Sequence, residues 1–116
     1  MIEKRKFIRL NAPIGVTYKV ITGNKAEAIH LSLVKNISGG GVRIAAKDLL
    51  KNGDLLDLKI QIPHLRDPIH AIGEVVWFSE RREGERDLKE AGVRFRDIEA
   101  CDLHCILEYV HTIGIG

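Results

Sequence analysis

Between residues 55 and 62 the chain alternates strictly, with Leu56, Leu58, Ile60 and Ile62 interleaved by Asp57, Lys59 and Gln61. That pattern suits an extended strand with one dry face and one wet face, because neighbouring side chains in a strand point to opposite sides. A single strand has no stability of its own, so the rest of the chain must complete a sheet around it.

Other stretches are suited to that task. Residues 16–21, 28–34, 42–45, 69–78 and 91–95 are short runs rich in β-branched and aromatic residues. In the run 28–34, Ile29, Leu31 and Leu33 fall on one face and His30 and Ser32 on the other. Turn chemistry separates the runs: Thr22-Gly23-Asn24-Lys25, Asn52-Gly53-Asp54, Pro63 and Pro68. Residues 79–90 are almost wholly charged around Gly84 and read as an exposed hairpin loop. Trp77 stands in an apolar run and reads as core. From about Ile98 the spacing becomes helical, through Cys101, Cys105 or Ile106, Val110 and Ile113, with Gly114 and Gly116 as a stop. Six strands and a terminal helix predict an all-β domain with a C-terminal helix. Periodicity does not choose between a small antiparallel barrel and a sandwich.

A length of 116 residues fits one domain with one core. A net charge of +2 is too mild for general nucleic-acid binding, so any preference for anions must come from local clustering. No apolar run approaches the roughly 18 residues of a membrane span, and the charged N-terminus lacks the apolar core of a secretory signal. Two cysteines in such a chain suggest reduced thiols and a cytoplasmic location.

Local clustering is present in two places. Arg5 and Arg9 lie four residues apart in the basic stretch Glu3-Lys4-Arg5-Lys6-Phe7-Ile8-Arg9. The link Asn36-Ile37-Ser38-Gly39-Gly40-Gly41 joins the apolar runs that end at Val34 and begin at Val42, which reads as a tight strand-to-strand connection. An Arg-x-x-x-Arg arm followed by Asn-x-Ser-x-x-Gly resembles the PilZ domain, a family of bacterial receptors for cyclic diguanylate (c-di-GMP). Gly73-Glu74-Val75-Val76-Trp77 and Gly92-Val93-Arg94-Phe95 fit the same pattern in the same order. The resemblance implies a six-stranded antiparallel β-barrel with a C-terminal helix (residues 13–116) behind a flexible basic arm (residues 1–12). It also implies a nucleotide-binding second-messenger receptor, of the kind that acts in bacterial motility and biofilm formation.

The chemistry suits such a ligand. A guanine edge offers O6 and N7 side by side, and an arginine fork matches both. On the resemblance, Arg5 and Arg9 bind guanine and phosphate, and Lys4 adds a cation. Asn36 bonds a guanine edge, Ser38 a phosphate or ribose oxygen, and Gly41 lets the backbone pass close to the ligand. Asn36 stands where the family also accepts Asp; an amide has one acceptor oxygen where a carboxylate has two, which alters the pairing. Arg43 and Arg94 read as outward-facing, solvated side chains. The arm is expected to fold across the barrel on binding and so form a surface for an unidentified downstream protein. Monomer and homodimer both remain open, and one or two nucleotides per chain are compatible with the motif.

Other chemistries fit less well. Cys101, His104, Cys105 and His111 lack the two separated clusters of a structural zinc site, and cysteines on the inner helix face are the simpler reading. Ser38 lacks the preceding glycine of a nucleophile elbow, and no phosphate loop or carboxylate pair points to an enzyme. A nucleic-acid-binding barrel would want interleaved aromatics, which form only 5% of the chain. No cofactor or metal is expected. The alternative function is a nucleotide-independent, PilZ-like adaptor for other proteins.

Overall fold

In the computed structural model, residues 14–23, 28–47 and 49–115 are described. Arg5, Arg9 and Lys4 lie outside them. Six strands form the domain: β1 (Ile14–Val20), β2 (His30–Ile37), β3 (Gly41–Ala45), β4 (Leu55–Gln61), β5 (Ile69–Glu83) and β6 (Arg86–Ile98). One helix, α1 (Ala100–Ile115), follows them. The strands close into a barrel in the order β1-β2-β3-β6-β5-β4, every pair antiparallel. The sandwich reading is therefore excluded.

The alternation in β4 sets the core. Leu56, Leu58 and Ile60 are fully buried inside the barrel, facing Val16 and Tyr18 of β1, Ile69 and Val75 of β5, and Ile44 of β3. Fully burying each such side chain is worth roughly 1.5–3 kcal/mol. The Tyr18 hydroxyl accepts the Lys47 amide at 2.9 Å, so its polar end is satisfied within the core. Ser32, also inside, donates to the Ala45 carbonyl at 2.6 Å. At the end of β4's ladder, Asp54 accepts the Lys51 amide at 3.0 Å and holds the 51–54 turn.

α1 begins where the Glu99 carbonyl accepts the Leu103 amide at 2.9 Å, with Asp102 placed favourably in the first turn. Ile106 is its fully buried residue, flanked by the partly buried Cys105, Tyr109 and Val110. Cys101 is exposed and Cys105 only half-buried, so the expectation of two buried cysteines fails for Cys101. The helical register that buries Ile106 carries Cys101 off the contact line.

Two further expectations are corrected. Residues 79–90 do not form a loop: β5 and β6 continue as a two-stranded ribbon from Ser79↔Glu90 to Glu83↔Arg86, closed at Gly84 with φ 64°. Trp77 is not core, being 40% exposed on the outside of the barrel. Its inward phase (Ile69, Ala71, Gly73, Val75) is broken by a bulge between Val75 and Trp77, which leaves Val76 and Trp77 both outside. Alternation alone cannot register an inserted residue.

Candidate ligand-binding site

A second bulge does the same in β2. Val34 pairs with Ile44, but Asn36 pairs with Arg43, so Lys35 is the extra residue. Lys35 and Asn36 consequently both face out, and Ile37 returns to the core. Without the bulge, Asn36 would take the inward phase of Ser32 and Val34. The two bulges thus set Asn36 and Trp77 on one outer face.

Across that face the register forms a row. Asn36 of β2 lies opposite Arg43 of β3, Arg43 opposite Gly92 of β6, and Gly92 opposite Trp77 of β5. The indole of Trp77 lies over Gly92, in the space a Cβ would need. A neighbouring row runs from Gly41 through Arg94 to Glu74.

The link between β2 and β3 borders both rows. The Ser38 amide donates to the Gly41 carbonyl at 2.9 Å, and the Gly40 amide donates to Ser38 Oγ at 3.2 Å. Ser38 Oγ donates only a long hydrogen bond, 3.5 Å to the Gly41 carbonyl oxygen, so the exposed hydroxyl can turn to a ligand acceptor at little cost. The Phe95 amide donates to the Gly40 carbonyl at 2.9 Å, tying the link to β6. Gly41 has a structural reason of its own, because an added Cβ would overlap the Val93 carbonyl oxygen. Gly39 lies beneath Leu107 of α1, whose Cδ2 would stand 2.7 Å from a Cβ there.

Together these residues line an open depression of about 280 Å³, walled by Asn36, Ser38, Gly40, Gly41, Arg43, Val76, Trp77 and Arg94. The two arginines are in different electrostatic states. Glu74 accepts from Arg94 at 3.1 Å and from Arg96 at 2.6 Å. Hydrogen bonds from Arg96 and then Arg94 hold the Glu74 carboxyl below its usual range. Arg43 has no carboxylate partner among the described residues, so its charge is available to an anion. A flat indole, a guanidinium with no carboxylate partner among the described residues and short polar groups around an exposed turn suit a planar, anionic ligand.

Of the six site residues expected from the sequence, the structure brings Asn36, Ser38 and Gly41 together, while Arg5, Arg9 and Lys4 lie outside the described residues. Arg43, Trp77 and Arg94 were not assigned to the site by sequence reasoning. The signals for them are the lone tryptophan after Gly73-Glu74 and two strand arginines in register with the Asn36–Gly41 link. Among the described residues no group of three His, Cys, Asp or Glu could hold a metal, and no helix is long and apolar enough to cross a membrane.

Fold and site define a small, closed β-barrel with one attached helix and an open depression on its outer wall lined in part by Arg43 and Arg94. The chain belongs to the PilZ domain family, whose pattern matches residues 3–112 and so includes the positions of Arg5 and Arg9. Solved structures agree on the fold. The Bacillus subtilis inhibitor of motility MotI/DgrA is similar at 22% identity and a TM-score of 0.72, over 90% of this chain and 47% of that one. The PilZ domain of YcgR from Escherichia coli, solved with c-di-GMP, is similar at 14% identity and a TM-score of 0.67, over 91% and 85%. MrkH, a c-di-GMP-dependent transcription regulatory factor, matches at 15% identity and a TM-score of 0.73, over 90% and 47%. The chain therefore spans about half the length of MotI/DgrA and of MrkH. A search of curated proteins returns no significant match.

Proposed function

We propose that this domain is a receptor for c-di-GMP, and that it signals by closing residues 1–12 over the ligand to form a surface for a downstream protein. The observation that carries the reading is the row Asn36–Arg43–Gly92–Trp77 beside the Ser38–Gly41 link. Its polar edge, the Arg43 cation and the aromatic plane of Trp77 match a guanine nucleotide. In support, the similar PilZ domain of YcgR was solved with this nucleotide.

Asn36 meets a guanine edge and Ser38 donates to a phosphate or ribose oxygen. Gly41 keeps the wall low, Arg43 pairs with phosphate, and Trp77 offers its face to a base. Pockets that bury most of a ligand start at roughly 300 Å³, so an open hollow of about 280 Å³ covers one side of a dinucleotide. The other side falls to the arm. Ile14, the residue that follows this segment in the chain, pairs with Val34, two residues from Asn36 along β2. Arg9 is five residues before Ile14, a reach of about 17 Å when extended. Arg9 and Arg5 fork onto guanine and phosphate, and Lys4 adds charge.

The test is isothermal titration of the full chain with c-di-GMP. Micromolar or tighter binding is expected, with Arg9→Ala and Asn36→Ala each weakened about 10- to 100-fold, the range for losing a charge-assisted or buried hydrogen bond. No heat at millimolar nucleotide and low salt overturns the reading and leaves the nucleotide-independent adaptor.

A further inference from the structure

The outer face of β2 is apolar where its inner face is polar. Leu31 and Leu33, with Ile29 just ahead of the strand, are 70%, 53% and 69% exposed, while Ser32 is buried. Ile21, just past the end of β1, is also exposed and continues the outward phase of Thr17 and Lys19. The β1 partners of the stripe are small: Thr17 lies opposite Leu31 and Gly15 opposite Leu33, and nothing lies within 4 Å of where a Gly15 Cβ would be. Contiguous aliphatic surface on a small domain marks a contact site.

Lysines border it. Lys59 of β4 is in register with Thr17, Lys19 adjoins Thr17 on the outer face of β1, and Lys35, the bulge residue, follows Leu33 on the outside of β2. None of the three has an ion-pair partner among the described residues. Asp57, the acid in register with Lys19, is taken up by His70 at 2.7 Å. On the other side β3 carries no acid, and Glu90 lies a strand further, opposite Ala45.

We propose that this face docks on an anionic lipid surface, with Ile29, Leu31 and Leu33 immersed at headgroup level and Lys19, Lys35 and Lys59 paired with lipid phosphates. An apolar centre inside a cationic rim complements such a surface, which is apolar beneath and negative above. Lysine suits the rim because its long stem lies along apolar material while the ammonium reaches the phosphates. A second copy of the chain would meet the stripe with a rim of the same sign, which opposes self-association there. Shape separates lipid from a partner helix. β1 and β2 are neighbours in a closed barrel, so their outer face bulges. A helix beds into a groove, whereas a deformable interface moulds itself to a ridge. Ile29 to Leu33 spans about 13 Å along the strand, so the domain lies on the surface side-on and nothing crosses it. Lys35 stands between Leu33 and Asn36, which leaves the ligand-binding depression at the margin of the docked face. The inference does not rest on the receptor reading.

The experiment is sedimentation of the full chain with phosphatidylcholine vesicles containing about 30% phosphatidylglycerol, and with phosphatidylcholine alone. Partition onto the anionic vesicles is expected to be about tenfold or more above that onto the neutral ones. It should be lost in Leu31→Ser with Leu33→Ser, and in Lys19→Glu with Lys59→Glu, while the melting temperature of both variants stays close to wild type. Binding that survives the serine pair places the contact elsewhere on the chain and overturns the proposal. Equal partition onto both vesicles overturns it by removing the lysines from the contact. Absence of binding overturns it outright and leaves a protein as the occupant of the stripe. A second measurement reports immersion. In a Trp77→Phe background, Leu31→Trp should shift its fluorescence to the blue on anionic vesicles, and an unshifted spectrum in sedimenting protein overturns the docked orientation. Neither readout uses c-di-GMP, so a failed nucleotide titration would sink the receptor reading alone.

Discussion

Gly41 and Gly92 are both covered, but by neighbours of different stiffness, and this separates two outcomes of the same substitution. An added Cβ at Gly41 meets the Val93 backbone, which is fixed in the β3–β6 ladder. Gly41→Ala should cost about 2 kcal/mol, within the usual range for overpacking, measured as a lower denaturation midpoint. At Gly92 the obstacle is the indole of Trp77, a surface side chain able to swing away. Gly92→Ala should leave the midpoint almost unchanged, shift the fluorescence of the chain's single tryptophan to the red, and weaken c-di-GMP binding several-fold. Glu74 makes a pH prediction. Its carboxyl is held below the usual range by Arg96 and Arg94, so the stability it contributes is present at neutral pH and lost as pH falls through its lowered pKa. The stability curves of wild type and Glu74→Gln should differ at neutral pH and converge in acid.

The elements were largely legible in the sequence. Strict alternation marked β4, and turn residues at Asn52-Gly53-Asp54 and Pro63 marked its limits. The bulges at Lys35 and Val76 were not legible, because an inserted residue leaves no compositional trace and alternation assumes none. One of them hid Trp77, which an unbroken pattern puts inside. The ribbon was hidden for another reason: its alternating charges read as a solvated loop, although the strands continue through them. The bulges also predict an asymmetry between deletions. Removing Val76 leaves Val75 inward, Trp77 outward and Phe78 inward, a regular strand, so this variant should fold with a modest loss in Tm. Removing Lys59 from the unbulged β4 flips every side chain on one side of the deletion, and that variant should fail to give a cooperative melt.

For the whole molecule, half of the candidate site was readable and half was not. Asn36, Ser38 and Gly41 stand within six residues of one another, and the Asn-x-Ser-x-x-Gly pattern they form is what the resemblance to the family singles out. Arg43, Trp77 and Arg94 come from three different strands, and only closure of β3, β6 and β5 side by side places them together. With a net charge of only +2, attraction for a dianion is local and screenable. Raising NaCl from 50 to 500 mM should weaken c-di-GMP binding several-fold while the melting temperature moves little. The ribbon has one more implication. Past Ser79 and Leu88, toward Gly84, its strands pair among the described residues only with each other, so the outer edges of the ribbon carry amides and carbonyls with no described third strand beside them. Glu80, Arg81, Arg82 and Glu83 along one row and Arg86 and Asp87 along the other act as bumpers against a stray chain. Replacing Arg81 and Glu83 with valine should convert this spike into a template for stacking copies, seen as rising light scatter in samples whose barrels remain folded.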